Sequence, residues 1–163
     1  MPGTELTRAL EALSGVQAGL QAGLDSWLAQ TRLVLIGLAW VALGSALGGA
    51  ARFFVSGLVG RHVGETFPWG TMAVNVSGAL ALGFLAAHAT TLALFQAPAA
   101  WSFAAVGFLG SYTTVSSFSL QTLALVRDGE LLLAAGNVIL SLVLCLSAVT
   151  LGYGAGMAGG GPG

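Results

Sequence analysis

Long runs of apolar residues alternate with very short polar connectors along most of this sequence. Four windows are long and apolar enough to cross a bilayer, because a transmembrane helix needs about 20 mostly apolar residues. They are residues 33–59, 69–95, 99–126 and 131–153. Short connectors force neighbouring helices to run antiparallel and to pack together. The pattern predicts an all-α membrane protein with four transmembrane helices in one domain, residues 33–153.

The two ends of the chain follow different patterns. In residues 1–32, leucines recur at three-, four- and seven-residue intervals, which is typical of an amphipathic helix: Leu6, Leu10, Leu13, Leu20, Leu24 and Leu28. Three acidic residues outweigh Arg8, so attraction to anionic lipid is not expected. We interpret this stretch as an interfacial or solvent-exposed extension, and a loosely ordered extension stays an open alternative. Residues 154–163, almost all glycine or small residues, predict a flexible tail.

The composition excludes most soluble functions. Of the 163 residues, 56% are hydrophobic and 7% are charged, whereas soluble domains carry about 25% charged residues. Five arginines, no lysine and six acidic residues cannot form a water-soluble surface or a patch that follows nucleic-acid phosphates. The lone Cys145 excludes an internal disulfide framework. A soluble enzyme and a nucleic-acid binder are therefore excluded.

The arginines show almost no bias between the two sides of the predicted bundle. With four spans, Arg8 and Arg32 lie on one side and Arg61 and Arg127 on the other, with Arg52 just inside the first span. Membrane orientation depends on a clear excess of Lys and Arg on one side. A chain without that excess can insert both ways. We therefore expect an antiparallel, dual-topology homodimer, a two-chain version of the inverted repeats of transporters.

Few ionisable or strongly polar side chains fall inside the spans. All six acidic residues lie outside the four windows, so no intramembrane carboxylate is available for proton coupling. Arg52 is either an interface anchor or a positive charge that attracts anions to a vestibule. Asn75 lies about two turns into the second span, where its amide either bonds a neighbouring helix or faces an anion in a pore.

The middle of the third window is crowded with glycine and hydroxyl residues: Gly107, Gly110, Ser111, Tyr112, Thr113, Thr114, Ser116, Ser117 and Ser119. Such a sequence continues a helix poorly, so we predict a break in this span. Unwound backbone at membrane depth is tolerated where it is buried in protein or lines an ion site. Its free carbonyls suit a hard cation such as Na⁺, and its N–H groups suit an anion.

Two sets of residues recur at helical spacing, so each lies on one face of its helix. One set comprises three polar residues and an aromatic residue, Ser111, Thr114, Phe118 and Gln121, and the other is a polar stripe of Asn137, Ser141 and Cys145. Hydroxyl groups can simply hold helices together, as Gly44, Gly48 and Gly78 are expected to do. Two stripes together with a mid-membrane amide favour an ion pathway. No metal-ligand cluster, nucleophile–base pair or phosphate loop is visible in the sequence, so we expect no enzyme activity.

Four segments, one in each span, carry a resemblance to a known family. They are residues 44–52, 67–78, 107–119 and 137–141, of which 107–119 (GFLGSYTTVSSFS) is the most specific. In this order they resemble the Fluc (CrcB) family of fluoride channels, over about residues 33–152. The resemblance implies a passive fluoride channel of the bacterial inner membrane, built as an antiparallel dimer with two pores, that exports cytoplasmic fluoride and lowers its toxicity.

The resemblance also implies roles for individual residues. A central structural Na⁺ is expected on the backbone carbonyls of Gly110 and Thr113. The family's pore asparagine matches Asn75, and its two pore phenylalanines match Val115 and Phe118. The fourth-span polar track matches Ser141 and Cys145, with Asn137 one turn before. The candidate donors to fluoride are the following polar residues: Asn75, Thr114, Ser116, Ser117 and Ser141.

Two positions depart from the family pattern. Val115 has no ring edge to offer an anion, and Gln121 replaces a glutamate that many members carry at one end of the pore. Because some organisms make paired members with incomplete pores, a heterodimer with a paralogue stays open.

Two other functions remain as alternatives. A small dual-topology multidrug exporter needs a membrane-embedded glutamate in its first span, and residues 33–59 contain none. A non-transporting membrane scaffold would use the polar residues only to pack its helices.

Overall fold

The computed structural model describes residues 3–64, 66–89 and 97–159, and within these ranges every regular element is a helix. Two compact units are distinguished, Met1–Gly37 and Leu38–Gly163. The helices are α1 (Gly3–Val63), α2 (Trp69–His88), α3 (Pro98–Trp101), the π-helix π1 (Ser102–Leu109), α4 (Gly110–Tyr112), α5 (Val115–Arg127) and α6 (Leu131–Gly159). The predicted all-α class is confirmed for the described residues.

Helix α1 is continuous, so the boundary expected at residue 32 is not marked by a break in the backbone. No proline occurs from residue 3 to residue 67, and proline is the residue that most strongly interrupts a helix. The first expected span, residues 33–59, therefore lies wholly within α1. Gly64 follows the helix with φ 101°, a backbone conformation that glycine adopts without steric cost.

Three described helical stretches are long and apolar enough to cross a bilayer, judged by length and composition: Leu13–Val63, Trp69–His88 and Leu131–Gly159. The second expected span reached residue 95, but α2 ends at His88, and residues 90–96 lie outside the described residues. The third expected span is covered by α3, π1, α4 and α5. None of these four is long enough to cross alone.

Helix α6 continues beyond the expected end of the fourth span at residue 153, to Gly159. The small residues predicted to form a flexible tail instead pack against α2 in this stretch. A Cβ atom added to Gly156 would lie 2.6 Å from the Cβ of Ala87 and 3.0 Å from the ring of His88. This close contact supports the extra helical turns. Residues 160–163 lie outside the described residues.

Helices α2 and α6 approach each other backbone to backbone. A Cβ atom on Gly83 would overlap the carbonyl oxygen of Val149, and one on Gly152 would overlap the carbonyl oxygen of Leu80. Membrane helices use small residues in this way because the apolar lipid gives them little hydrophobic drive to associate. This pair of glycines brings α6 against the helix that carries Asn75.

Glycines also set the contact between α1 and π1. A Cβ atom on Gly44 would overlap the carbonyl oxygen of Phe103, and one on Gly48 would overlap that of Phe108. The interpretation of these two glycines as helix-packing positions is confirmed. Gly78 of α2 has the same property toward the methyl group of Thr113, so it lets α2 approach the start of α5.

Gly152→Ala is expected to lower the stability of the protein by about 1–3 kcal/mol, the usual cost of overpacking, because the new methyl group must displace the Leu80 carbonyl. Gly154→Ala in the same helix is the matched control, since nothing lies within 4 Å of a Cβ atom there. Thermal unfolding of both purified variants in detergent measures the difference. Equal melting of Gly152→Ala and wild type would contradict the close approach.

Candidate functional site

Two residues of extended backbone separate α4 from α5. Thr113 has φ −76° and ψ 157°, and Thr114 has φ −151° and ψ 120°. Both lie in the extended region, whereas the residues on either side are helical. The glycine and hydroxyl residues predicted an interruption in this part of the chain. An interruption of this kind removes the helical partners of nearby backbone groups.

Asn75 of α2 binds both backbone groups of Thr114. Its Nδ2 donates to the Thr114 carbonyl at 3.0 Å, and the Thr114 N–H donates to its Oδ1 at 2.7 Å. Thr114 is 7% exposed, and leaving buried backbone groups of this kind unpaired would be costly. The side-chain amide therefore replaces the partners that a continuous helix would have supplied.

This pairing has a consequence for two carbonyl groups. In an uninterrupted helix the N–H of Thr114 would bond to the carbonyl of Gly110, and that of Ser117 to the carbonyl of Thr113. Here the first N–H donates to Asn75 and the second to the Thr114 hydroxyl, at 3.2 Å. Gly110 and Thr113 have therefore lost their helical partners, and their carbonyl oxygens can accept from another group or bind a cation.

Three hydroxyl groups gather at the first turn of α5. The Thr114 side chain caps the helix by accepting from the Ser117 N–H, which is the usual role of threonine at this position. The Thr114 Oγ1 lies 3.1 Å from the Ser116 Oγ and 3.2 Å from the Ser117 Oγ. A helix N-terminus carries partial positive charge, so this end of α5 suits an anion.

A groove of about 360 Å³ lies beside the interruption. It collects six of the predicted site residues: Asn75, Gly110, Thr113, Thr114, Val115 and Cys145. Apolar residues such as Leu82 and Leu109 complete its wall. The structure thus brings the mid-membrane amide of α2, the interrupted backbone and one member of the α6 stripe to a single surface.

Other predicted residues lie elsewhere. Phe118 in α5, Ser141 in α6 and Arg52 in α1 are half-buried and do not line this groove. Ser111 lies in α4, before the interruption, so the expected single face that ran from Ser111 to Gln121 is divided between two helices.

Gln121 lines a second groove of about 500 Å³. Thr66, Asp128 and Glu130 contribute to the same wall. The Oε1 of Gln121 is buried and, within the described part of the chain, has no hydrogen-bond partner. The neutral amide of Gln121, in the middle of α5, therefore shares a groove with the acidic residues that follow this helix and does not line the groove of Asn75.

Asn137 differs from its expected place in a vestibule, because it is only 2% exposed. Its Nδ2 donates to the Thr122 hydroxyl at 2.8 Å, and that hydroxyl donates to the Phe118 carbonyl at 2.8 Å. The amide therefore joins α6 to α5 next to Phe118. Sequence reasoning missed Thr122; its position one helical turn after Phe118 was the available signal.

Comparison with known proteins gives the family. Residues 39–153 match a family model described as "CrcB-like protein, Camphor Resistance (CrcB)", which is well over half of the chain. The chain belongs to the CrcB family. Membership in this family, together with three apolar helices of membrane-crossing length, makes the chain an integral membrane protein. The family match leaves out residues 1–38 and the interrupted helix lies within it.

Several CrcB relatives are highly similar to this chain. It is 61% identical over 125 residues to "Fluoride-specific ion channel FluC 2" of Rhodopseudomonas palustris (strain BisB18), which covers 76% of this chain and 95% of that protein. It is 56% identical over 122 residues to "Fluoride-specific ion channel FluC 2" of Bradyrhizobium diazoefficiens, covering 74% and 89%. A third relative, "Fluoride-specific ion channel FluC" of Opitutus terrae, is 53% identical over 115 residues, covering 70% and 87%.

In this CrcB-family chain, Asn75→Ala is expected to cost about 1–3 kcal/mol for each Thr114 backbone group that it leaves unpaired. Ser119→Ala in α5 is the control, because Ser119 is exposed and, among the described residues, its hydroxyl has no partner, so the loss of that hydroxyl should cost less than about 1 kcal/mol. Thermal unfolding in detergent compares the two. If both variants melt alike, the amide does not hold the interruption.

Proposed function

We propose that this chain is a passive, fluoride-selective ion channel that lets cytoplasmic fluoride leave the cell and so lowers its toxicity. The observation that carries the proposal is 61% identity over 125 residues to a protein named as a fluoride-specific ion channel, with 95% of that protein covered. The groove beside Thr113 and Thr114 offers a physical site for the ion, because it combines an amide, hydroxyls and the N-terminus of a helix.

A passive channel is sufficient for this task. Hydrogen fluoride is a weak acid that crosses membranes as a neutral molecule and dissociates in a more alkaline cytoplasm, so fluoride is trapped inside. The negative interior of the cell then drives the anion outward through any selective pathway. No proton-coupling carboxylate is required, in keeping with six acidic residues that all lie outside the predicted spans. Nor does such a channel carry out a chemical reaction.

The proposed pathway offers several hydrogen-bond donors to replace the water around a small, strongly hydrated anion. Asn75 has two amide hydrogens; one is donated to the Thr114 carbonyl, and the other is free to face an ion. The remaining donors are the hydroxyls of Ser116, Ser117 and Ser141, whereas the Thr114 hydroxyl, also a candidate donor, is donated to Ser117 in the single chain. The ring edge of Phe118 carries partial positive charge, while Val115 contributes only an apolar wall. Arg52 and Gln121 would then lie toward the two ends of the pathway.

We propose that residues 98–127 form one interrupted span, which makes four spans in all. The helical run from Pro98 to Tyr112 and helix α5 are each too short to cross a bilayer, but together they exceed the required length of about 20 residues. The interruption is acceptable at membrane depth because Asn75 pairs the backbone groups of Thr114.

A second copy in inverted orientation is proposed to complete the pathway, giving two pathways per dimer in the bacterial inner membrane. The balanced arginines allow both orientations. Val115, although it lines the groove, is 77% exposed in the single chain, and Phe53 and Phe54 of α1 are also largely exposed. A partner chain would cover such residues. A paralogue in place of the second copy is the alternative.

A structural Na⁺ is proposed at the interruption. The carbonyls of Gly110 and Thr113 have lost their helical partners, and carbonyl oxygen is the ligand type that hard cations prefer. Both residues line the same groove, and in an antiparallel dimer two carbonyls from each copy could share one ion. Bound there, Na⁺ would add a positive charge close to the anion pathway.

Fluoride efflux from liposomes that hold the purified chain alone tests the function. We expect efflux far faster for fluoride than for chloride, followed with ion-selective electrodes. Ser141→Ala should slow fluoride efflux about tenfold, since losing one hydrogen bond to an ion costs about 1.5 kcal/mol or more. Ser147→Ala is the matched control, because Ser147 is exposed on the same helix. A folded wild-type sample without efflux would contradict a homodimeric channel.

The sodium proposal predicts a cation-dependent melting temperature. The protein should melt at a higher temperature in sodium chloride than in equimolar N-methylglucamine chloride or potassium chloride. The increment should shrink in Asn75→Ala, because the unpaired backbone of Thr114 no longer holds the carbonyls of Gly110 and Thr113 in place. Identical melting temperatures of the wild type in all three salts would contradict the proposed Na⁺ site.

A further inference from the structure

The N-terminal unit has an apolar face that the proposed channel does not use. Residues 13–30 of α1 are all exposed, and the large apolar side chains among them include Leu13, Leu20 and Trp27, at 65%, 72% and 63% exposed. This unit lies outside the family match. Exposed apolar surface of this extent marks an interaction site.

The apolar side chains follow a heptad repeat. With position a at residues 10, 17, 24 and 31 and position d at 13, 20, 27 and 34, eight positions span four heptads. We name this set the leucine seam. Six of its positions are apolar: Leu10, Leu13, Leu20, Leu24, Trp27 and Val34. Four heptads reach the length at which a two-stranded coiled coil becomes stable.

The charged residues of this unit all lie off the seam. Glu5, Arg8, Glu11, Asp25 and Arg32 fall at positions b, c and f, which face away from a coiled-coil partner. Glu5 and Arg8 approach each other to 3.9 Å on that outer surface. Two seams can therefore meet without burying a charge.

The helix also needs a partner to be stable in water. Gly15, Gly19 and Gly23 lie in its interior, and each is about 1 kcal/mol less favourable than alanine there. Helices owe most of their stability to packing of an apolar face against another element. The side chains of residues 13–30 are exposed, so a partner chain is the natural source of that packing.

One polar position favours a protein partner over lipid. Gln17 occupies an a position within the seam, where lipid would leave its amide unpaired. In a parallel, in-register pair, Gln17 meets Gln17 of the other chain, and a polar layer of this kind sets the register. The acidic excess of the unit also disfavours an anionic membrane surface.

We propose that the leucine seam binds the same seam of a second copy of this chain, in a parallel two-stranded coiled coil. The two paired chains must then have their N-termini on the same side of the membrane. Under the proposed dual topology, the two copies within one channel have their N-termini on opposite sides, so the coiled coil would join two different channels. Only this last consequence rests on the proposed function.

Disulfide cross-linking of the full-length protein in liposomes tests the seam. Gln17→Cys is compared with Ala22→Cys, which lies on the outer face, and wild type supplies the background from Cys145. With copper phenanthroline as the oxidant, Gln17→Cys should form a species of doubled mass on a non-reducing gel, and Ala22→Cys should not. Absent cross-linking at position 17, or equal cross-linking at both positions, would overturn the proposal.

A second variant separates the seam from the channel. On the Gln17→Cys background, Leu20→Glu with Leu24→Glu should abolish the cross-link but leave fluoride efflux unchanged, whereas Ala22→Glu with Ala29→Glu should preserve both. A cross-link that forms in protein without efflux would support the seam and contradict only the channel. If the Gln17→Cys variant fails to cross-link and its new thiol becomes shielded from an impermeant maleimide when lipid is present, the face lies on the membrane and the proposal is wrong.

Discussion

The pairing of the Asn75 amide with the backbone of Thr114 is the contact on which the candidate site depends. A chain that leaves its helical path in an apolar environment exposes N–H and carbonyl groups that no water can satisfy. The amide supplies one acceptor and one donor in the geometry that Thr114 requires. Two other features of the site follow from that exchange: the loss of helical partners at the carbonyls of Gly110 and Thr113, and a new helix N-terminus at Val115.

The close packing of glycines makes this exchange possible. Asn75 can reach Thr114 only if α2 lies next to the interrupted helix, and Gly78, one turn later, has no side chain to hold the two apart. Helix α2 also contacts α6, where Gly83 and Gly152 allow the two backbones to approach closely. These glycines, which have no side chain of their own, thus determine where the Asn75 amide of α2 is placed.

Part of this arrangement can be predicted from the sequence. The rest depends on contacts between distant residues, which a sequence pattern does not specify. Gly44 and Gly48 were recognisable as packing positions because two small residues four positions apart are typical of closely packed membrane helices. Asn75 was recognisable as important because an unpaired amide is costly in lipid, but spacing cannot say that its partner is the backbone of Thr114, a residue far along the chain. Asn137 was expected in a vestibule because it belongs to the polar stripe of the fourth span. A stripe shows which residues share a helix face, but it does not show whether another helix covers that face. The change in composition at residue 32 carries no helix-stop signal, and α1 continues through it.

Hydrogen exchange at two neighbouring amides tests the central pairing most directly. In the wild type, the N–H groups of Thr113 and Thr114 should both exchange slowly, because one donates to the Leu109 carbonyl and the other to Asn75. In Asn75→Ala, exchange at Thr114 should become much faster while exchange at Thr113 stays slow. Equal protection of Thr114 in wild type and variant would mean that this N–H has a partner other than Asn75, and would contradict the account.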